Sequence, residues 1–257
     1  MPSVVIEGRG QGAEVRGAAG DFSLPSTLYP LPSCSVVDRG LMGYNAAFQL
    51  QRELVEQRKR GEIPDQLLIV EHPHVVTMGR NGHSENLLAS PELMVRAGID
   101  FQPTDRGGDV TYHGPGQIVM YPIFDLREWK RDVIAYVRAL EDVIIDVLGQ
   151  YGIEGDRLAG ATGVWVNAGG HLQPAKVAAI GVHVSRWVTS HGFALNLSTD
   201  LQYFRYIVPC GLTRPVTSMQ TLGCLASREE VVQKLSESFG RIFGRAMVPA
   251  RAFTETN

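Results

Sequence analysis

Three features of this sequence have the chemistry to move a group from one molecule to another. Cys210 sits in Ile207-Val208-Pro209-Cys210-Gly211, where an apolar run stops at a turn and a glycine leaves the thiol open to approach. Lys176 lies in Pro174-Ala175-Lys176-Val177-Ala178-Ala179-Ile180-Gly181-Val182, the least polar surroundings of any lysine in the chain. The segment Arg106-Gly107-Gly108-Asp109-Val110-Thr111-Tyr112-His113-Gly114-Pro115-Gly116-Gln117 brings four glycines, an arginine and a histidine into twelve residues. Glycines let a backbone come close to a ligand and turn its N–H groups toward an acceptor oxygen. A thiol needs a neighbour that favours thiolate before it can attack a carbonyl, and Lys176, His113, His183 and His191 are the available partners.

Each feature also has a plain structural reading. A lone cysteine is more often a small buried hydrophobe, which suits Cys34 and Cys224. Gly-Gly and Gly-Pro-Gly are ordinary turn punctuation. Lys176 either faces water from a strand, or is held near a counter-charge or depressed in pKa, and both readings stay open. The glycine-rich segment matches neither the dinucleotide fingerprint nor the phosphate loop. Glu71-His72-Pro73-His74, with His83 further on, offers possible metal ligands. Pro73 breaks any helix there, so the paired-histidine helical arrangement is absent and no metal site is expected.

These residues must be positioned by elements that the periodicity predicts. Helices are expected over 43–60, 130–150 and 227–243, the last with Ser227 as N-cap before Glu229 and Glu230. Short strand-like pieces fall at Leu67–Val70, Val75–Thr77, Val110–Tyr112, Ile118–Ile123, Val164–Asn167, Lys176–Trp187 and Phe193–Leu197. Several follow one another through turns such as Ala168-Gly169-Gly170, with no helix between. The expected fold is therefore α/β of the α+β type, a mixed and largely antiparallel sheet flanked by helices. Residues 1–33, rich in glycine and proline, read as a flexible N-terminal extension, and 34–250 as a single catalytic domain.

Composition narrows the field. Of 257 residues, 44% are hydrophobic and 20% charged, which suits a folded domain and excludes a disordered or fibrous chain. A net charge of −3 gives no overall basic surface, so nucleic acid and membrane are not expected partners. Three cysteines without CxxC spacing, and no apolar leader or span, point to reduced thiols and a cytoplasmic protein.

Taken together, Arg106–Tyr121, Lys176–Val182, Trp187–Asn196 and Ile207–Gly211, with Glu71-His72-Pro73 and Gly79-Arg80 upstream, resemble the octanoyltransferase family of lipoate biosynthesis. The resemblance implies a domain like the catalytic domains of biotin and lipoate protein ligases. It further implies transfer of an octanoyl group from acyl carrier protein, through a cysteine thioester, to a lysine of lipoyl domains or of the glycine-cleavage H protein. On that resemblance Cys210 is the nucleophile and Lys176 assists it. The acyl-binding elements are Arg106, Gly107, Gly108, Asp109, Val110, Thr111, Tyr112 and His113, then Ala179, Ile180 and Gly181, then Gly192, Phe193 and Ala194. An apolar slot among Tyr112, Ile180, Val182 and Phe193 is expected to take the chain. No cofactor is expected, since passing an acyl group from thioester to thioester and on to an amine needs no ATP. The alternative is an ATP-dependent lipoate-protein ligase on the same scaffold, against which Cys210 and the Tyr112–Gln117 pattern speak.

Overall fold

Consecutive strands joined by tight turns must pair with their neighbours in sequence, and the C-terminal half of the chain does so. The computed structural model describes residues 30–167, 173–208 and 214–250. Strands β1 (Ser33–Leu41), β2 (Asp65–Glu71), β3 (Val75–Met78), β4 (Asp100–Pro103), β5 (Val110–His113), β6 (Gln117–Ile123), β7 (Gly155–Leu158), β8 (Ala161–Val166), β9 (Ala175–Ser185), β10 (Val188–Asn196) and β11 (Ala246–Pro249) form two sheets. The larger runs β11-β1-β2-β6-β10-β9-β8-β7 and the smaller β4-β3-β5. From β2 to β7 every neighbouring pair of the large sheet is antiparallel, and only β1 pairs parallel, with β2 and β11. This is the mixed, largely antiparallel sheet that the strand-turn-strand pattern predicts.

Helices cover both faces of the large sheet. Helix α3 (Val133–Gln150) packs with α4 (Arg228–Phe243) over the main core, where Leu140, Ile144 and Val147 meet Leu235 and Phe239. Helix α1 (Tyr44–Lys59) lies against β2, β6 and β10. The short α2 (Pro91–Arg96) precedes β4, with Ser90 capping it and proline at its start. Strands β6 and β10 are buried along their whole lengths, as strands covered on both faces must be.

Local sequence explains the boundaries. Helix α3 starts at Val133, three residues later than expected, because the Asp132 side chain accepts from Ala135 N–H and fixes the N-terminus there. Ser227 caps α4 with a full capping box through Glu230, and Gly244 ends it in the left-handed conformation. The long piece expected at 176–187 is β9 plus a two-residue hairpin, in which Arg186 (φ 50°) and Trp187 (φ 69°) both take positive φ. Strands β1, β4, β7 and β11 and helix α2 were not expected. The turn expected at Ala168-Gly169-Gly170 and residues 1–29 of the expected extension lie outside the described residues. Cys34, at the start of β1, is fully buried in the main core. No helix is long and apolar enough to cross a membrane among the described residues.

Candidate active site

Strand alternation decides which side chains of the glycine-rich segment meet the sheet. Along β5, Thr111 and His113 point to one side and Val110 and Tyr112 to the other. Thr111 and His113 line a cavity with Tyr44 of α1, Arg106 and Gly108, Val119 and Tyr121 of β6, Ala179, Ile180 and Gly181 of β9, and His191, Gly192, Phe193 and Ala194 of β10. It holds about 450 Å³ of empty space, mouth included.

Ten of the expected acyl-binding residues are therefore brought together. Tyr112 and Val110 are not among them. They pack into a separate small core, where Tyr112 stacks 5.3 Å from Tyr203 and its hydroxyl meets His74 Nδ1 at 2.8 Å. The slot expected to include Tyr112 is closed by Tyr44 and Tyr121 instead. Sequence reasoning missed those two, because nothing local to Tyr44 or Tyr121 marks the face it presents.

Two glycines make the cavity possible. A Cβ on Gly192 would meet Met120 O at 2.1 Å, and one on Gly181 would meet Gly107 O at 2.9 Å. The backbones on either side of the cavity thus pack closer than any side chain permits. The glycine loop itself is pinned by backbone hydrogen bonds. Gly107 N–H donates to Val182 O at 2.9 Å, Arg80 N–H to Arg106 O at 3.0 Å, and Asn81 N–H to Gly108 O at 3.2 Å. The expectation that this loop turns its N–H groups to a ligand fails for Gly107, whose N–H is spent on β9. Asp109 is also structural: its carboxylate accepts from His83 N–H, Val110 N–H and the Asn86 amide, and it borders a wide cleft with Asn81 and Gly108. The guanidinium of Arg106 donates to Thr77 O at 2.9 Å, to Thr77 Oγ1 and to Gly107 O, so it ties the small sheet to the loop.

The polar side chains around the cavity turn their hydrogen bonds away from it. Tyr44 OH donates to Thr104 Oγ1 at 2.9 Å, and Tyr121 OH to His72 Nε2 at 2.8 Å, while His72 Nδ1–H donates to Met42 O. His113 Nδ1–H donates to Gln117 Oε1 at 2.7 Å, and Gln117 passes the chain to Asn196 and so to Thr217 O. Burial pushes His113 down to about 3 and His72 down to about 4, so both rings are neutral at pH 7. Apart from Arg106, bonded back to Thr77 and Gly107, and Thr111, what lines the cavity is mostly rings, aliphatic carbons and glycine backbone, suited to a hydrocarbon chain at about 0.8 kcal/mol per buried methylene.

Lys176 stands at one end of this slot. It shares a small space with Thr111, Gln117, Ala179 and Asn196, and opens on the other side to a wide cleft with Gly107, Gly108 and Ile180. It is 6% exposed, so it does not lie on a wet strand face. Its Nζ sits 4.7 Å from the ring centroid of Trp165, its cross-strand neighbour on β8, and Arg214 lies 6.0 Å from the same ring. The aromatic face of Trp165 is thus one of the groups that hold Nζ in place. Trp165 carries no signal in the sequence beyond its place in a strand. Cys210 lies outside the described residues.

Comparison with known proteins places this geometry. Residues 43–240 match the family described as the lipoyl protein ligase A/B catalytic domain. The octanoyltransferase of Solibacter usitatus is 60% identical over 217 residues, 84% of this chain and 96% of that protein. This chain belongs to the octanoyltransferase family. It is therefore an acyltransferase. The octanoyltransferase of Koribacter versatilis is 54% identical, over 81% of this chain and 83% of that protein. Among solved structures, a bipartite lipoate protein ligase of Thermoplasma acidophilum superimposes with TM-score 0.69 at 15% identity, covering 85% of this chain and 87% of that one. A lipoate-protein ligase A bound with ATP gives 0.64 at 15% identity, covering 86% and 89%. These likenesses establish a shared scaffold, the one expected from the sequence. Among octanoyltransferase-family residues singled out above, the described ones that gather at the slot come from the loop before β5 and from β5, β9 and β10, with Lys176 at its inner end.

Proposed function

We propose that this octanoyltransferase-family protein moves an octanoyl group from acyl carrier protein to a lysine of a lipoyl domain, or of the glycine-cleavage H protein, through a thioester on Cys210. The observation that supports this most directly is a mostly apolar slot leading to Lys176 in a chain 60% identical to an octanoyltransferase. In the first half-reaction the Cys210 thiolate attacks the carrier thioester carbonyl, and the carrier thiol leaves. In the second, the acceptor lysine amine attacks acyl-Cys210, an amide forms, and the Cys210 thiol is released with the proton that the amine gives up. Lys176 stabilises the thiolate and handles that proton. Thioester exchange conserves bond type and amide formation runs downhill, so neither step calls for ATP or metal. The lipoate-protein ligase reading keeps the same scaffold but requires activation of a free acid by ATP.

Intact-mass measurement after mixing with octanoyl-acyl carrier protein tests the scheme. One octanoyl group is expected on wild type and on Cys34→Ser and Cys224→Ser. An adduct that persists in Cys210→Ser, or loading only from free octanoate and ATP, would overturn it.

A further inference from the structure

At the end of the slot opposite Lys176, one residue separates the interior from a second, open cleft. His191 lines the inner cavity, and the outer cleft beyond it is lined by Phe48, Gln51, Asp105, His183 and Ser190. The imidazole is 1% exposed and is fixed from several sides. Its Nε2–H donates to Asp105 Oδ1 at 2.7 Å, its backbone N–H donates to Gln51 Oε1 at 2.7 Å, its ring stacks 5.4 Å from Phe48, and Tyr121 abuts it edge-on. Its φ is +55°, the only such value at a non-glycine residue within a strand among the described residues. A side chain held in that backbone region against its ordinary preference is one whose position the surroundings over-determine.

We infer that His191 is the end wall of the acyl slot and sets the longest chain it accepts. The inference rests on the acyl-transfer reading above. Register supplies the dimension. Ala179, which borders both the slot and the space around Lys176, pairs with Ala194, while Val182 pairs with His191. Three residues of strand separate these levels, roughly 10 Å, which matches an extended medium-length acyl chain. A longer chain meets the imidazole. The outer cleft beyond carries Arg52, Glu53, Glu56 and Lys59, so the wall divides a mostly apolar slot from a wet and highly charged surface.

The test compares octanoyl- and dodecanoyl-acyl carrier protein as donors for wild type, His191→Gly, Phe48→Ala and Asp105→Ala. Glycine accepts a positive φ and removes the wall without backbone strain. The dodecanoyl-to-octanoyl ratio of kcat/KM should rise about tenfold or more in His191→Gly. It should rise by a smaller factor in the other two, where the ring is freed to swing aside. If His191→Gly does not fold, the same direction in Phe48→Ala and Asp105→Ala carries the inference. An unchanged ratio in every folded variant, with wild type loading octanoyl normally, overturns the wall. Failure of wild type to accept octanoyl at all overturns the acyl-transfer reading instead.

Discussion

Lys176 holds its Nζ over the face of Trp165 and its stem among buried neighbours, an arrangement in which shape and proton transfer can be separated by substitution. If it acts only as a fixed cation, Lys176→Arg preserves both half-reactions. If it must give and take a proton, arginine fails in the second step, because its pKa above about 12 keeps it charged throughout. We expect Lys176→Arg to load Cys210 measurably but to lose about 100-fold or more in transfer to the lipoyl domain. Single-turnover assays of each half-reaction measure this, and wild-type-like transfer would remove the proton-carrying role from Lys176. At this scale the sequence was informative where chemistry is local. Lys176 stands out by its apolar run, and Gly181 and Gly192 by their motifs. Trp165, Tyr44 and Tyr121 were not legible, because their roles arise only when β8, α1 and β6 come together.

Elements set the tolerance of the site to change. The strand pair β6–β10 closes the cavity because Gly192 lets the two backbones approach, and an added methyl would fall 2.1 Å from Met120 O. Gly192→Ala should cost about 2–3 kcal/mol by forcing those strands apart, lowering the midpoint of thermal unfolding by several degrees. Ser227→Ala is a contrasting case remote from the slot. It removes the bond in which Ser227 Oγ accepts from Glu230 N–H, leaving the Glu230 carboxylate on the N–H of residue 227, and should cost about 1 kcal/mol, with kcat/KM unaltered. A Gly192→Ala protein as stable as wild type would show that the strands yield. The helix α4 was legible to within a residue because its cap and its apolar spacing agree. Strand β1 was not, because Ser33–Leu41 contains Asp38, Arg39 and Gly40 and a break in its register with β2 between Asp38 and Leu41. Its place is dictated by pairing partners 30 and 210 residues away in sequence, roughly, which no local window contains.

For the molecule as a whole, acid stability follows from imidazoles that burial holds below their ordinary range, His191 by direction and His72 and His113 most strongly. A histidine whose folded pKa lies below its unfolded value binds fewer protons when folded. Stability is therefore intact above about pH 6.5 and is lost as pH falls toward the folded values of about 4 for His72 and about 3 for His113. Carboxylates such as Asp38 and Asp125, held low with the help of Arg228 and Arg127, add their loss only below the ordinary carboxylate range. The denaturant midpoint should thus decline between pH 6.5 and 4 before the carboxylates titrate. His113→Gln should flatten that decline, and an unchanged slope would mean that His113 is not held neutral in the folded protein.

The parallel seat of β11 beside β1 has a consequence for how the chain is made. Arg245, just before β11, donates to Asp65 at 2.7 Å, and Arg58 donates to the same carboxylate at 2.8 Å, so an early helix, an early strand and the final strand are fastened at one buried acid. A polypeptide leaving the ribosome presents Asp65 and the free flank of β1 long before Arg245 exists. During translation that flank is an unpaired hydrogen-bonding edge with Cys34 beneath it, and the acid lacks one of its two cations. Nascent chains arrested before residue 245 should therefore be protease-sensitive and prone to self-association, while the emergence of Ala246–Pro249 completes the sheet.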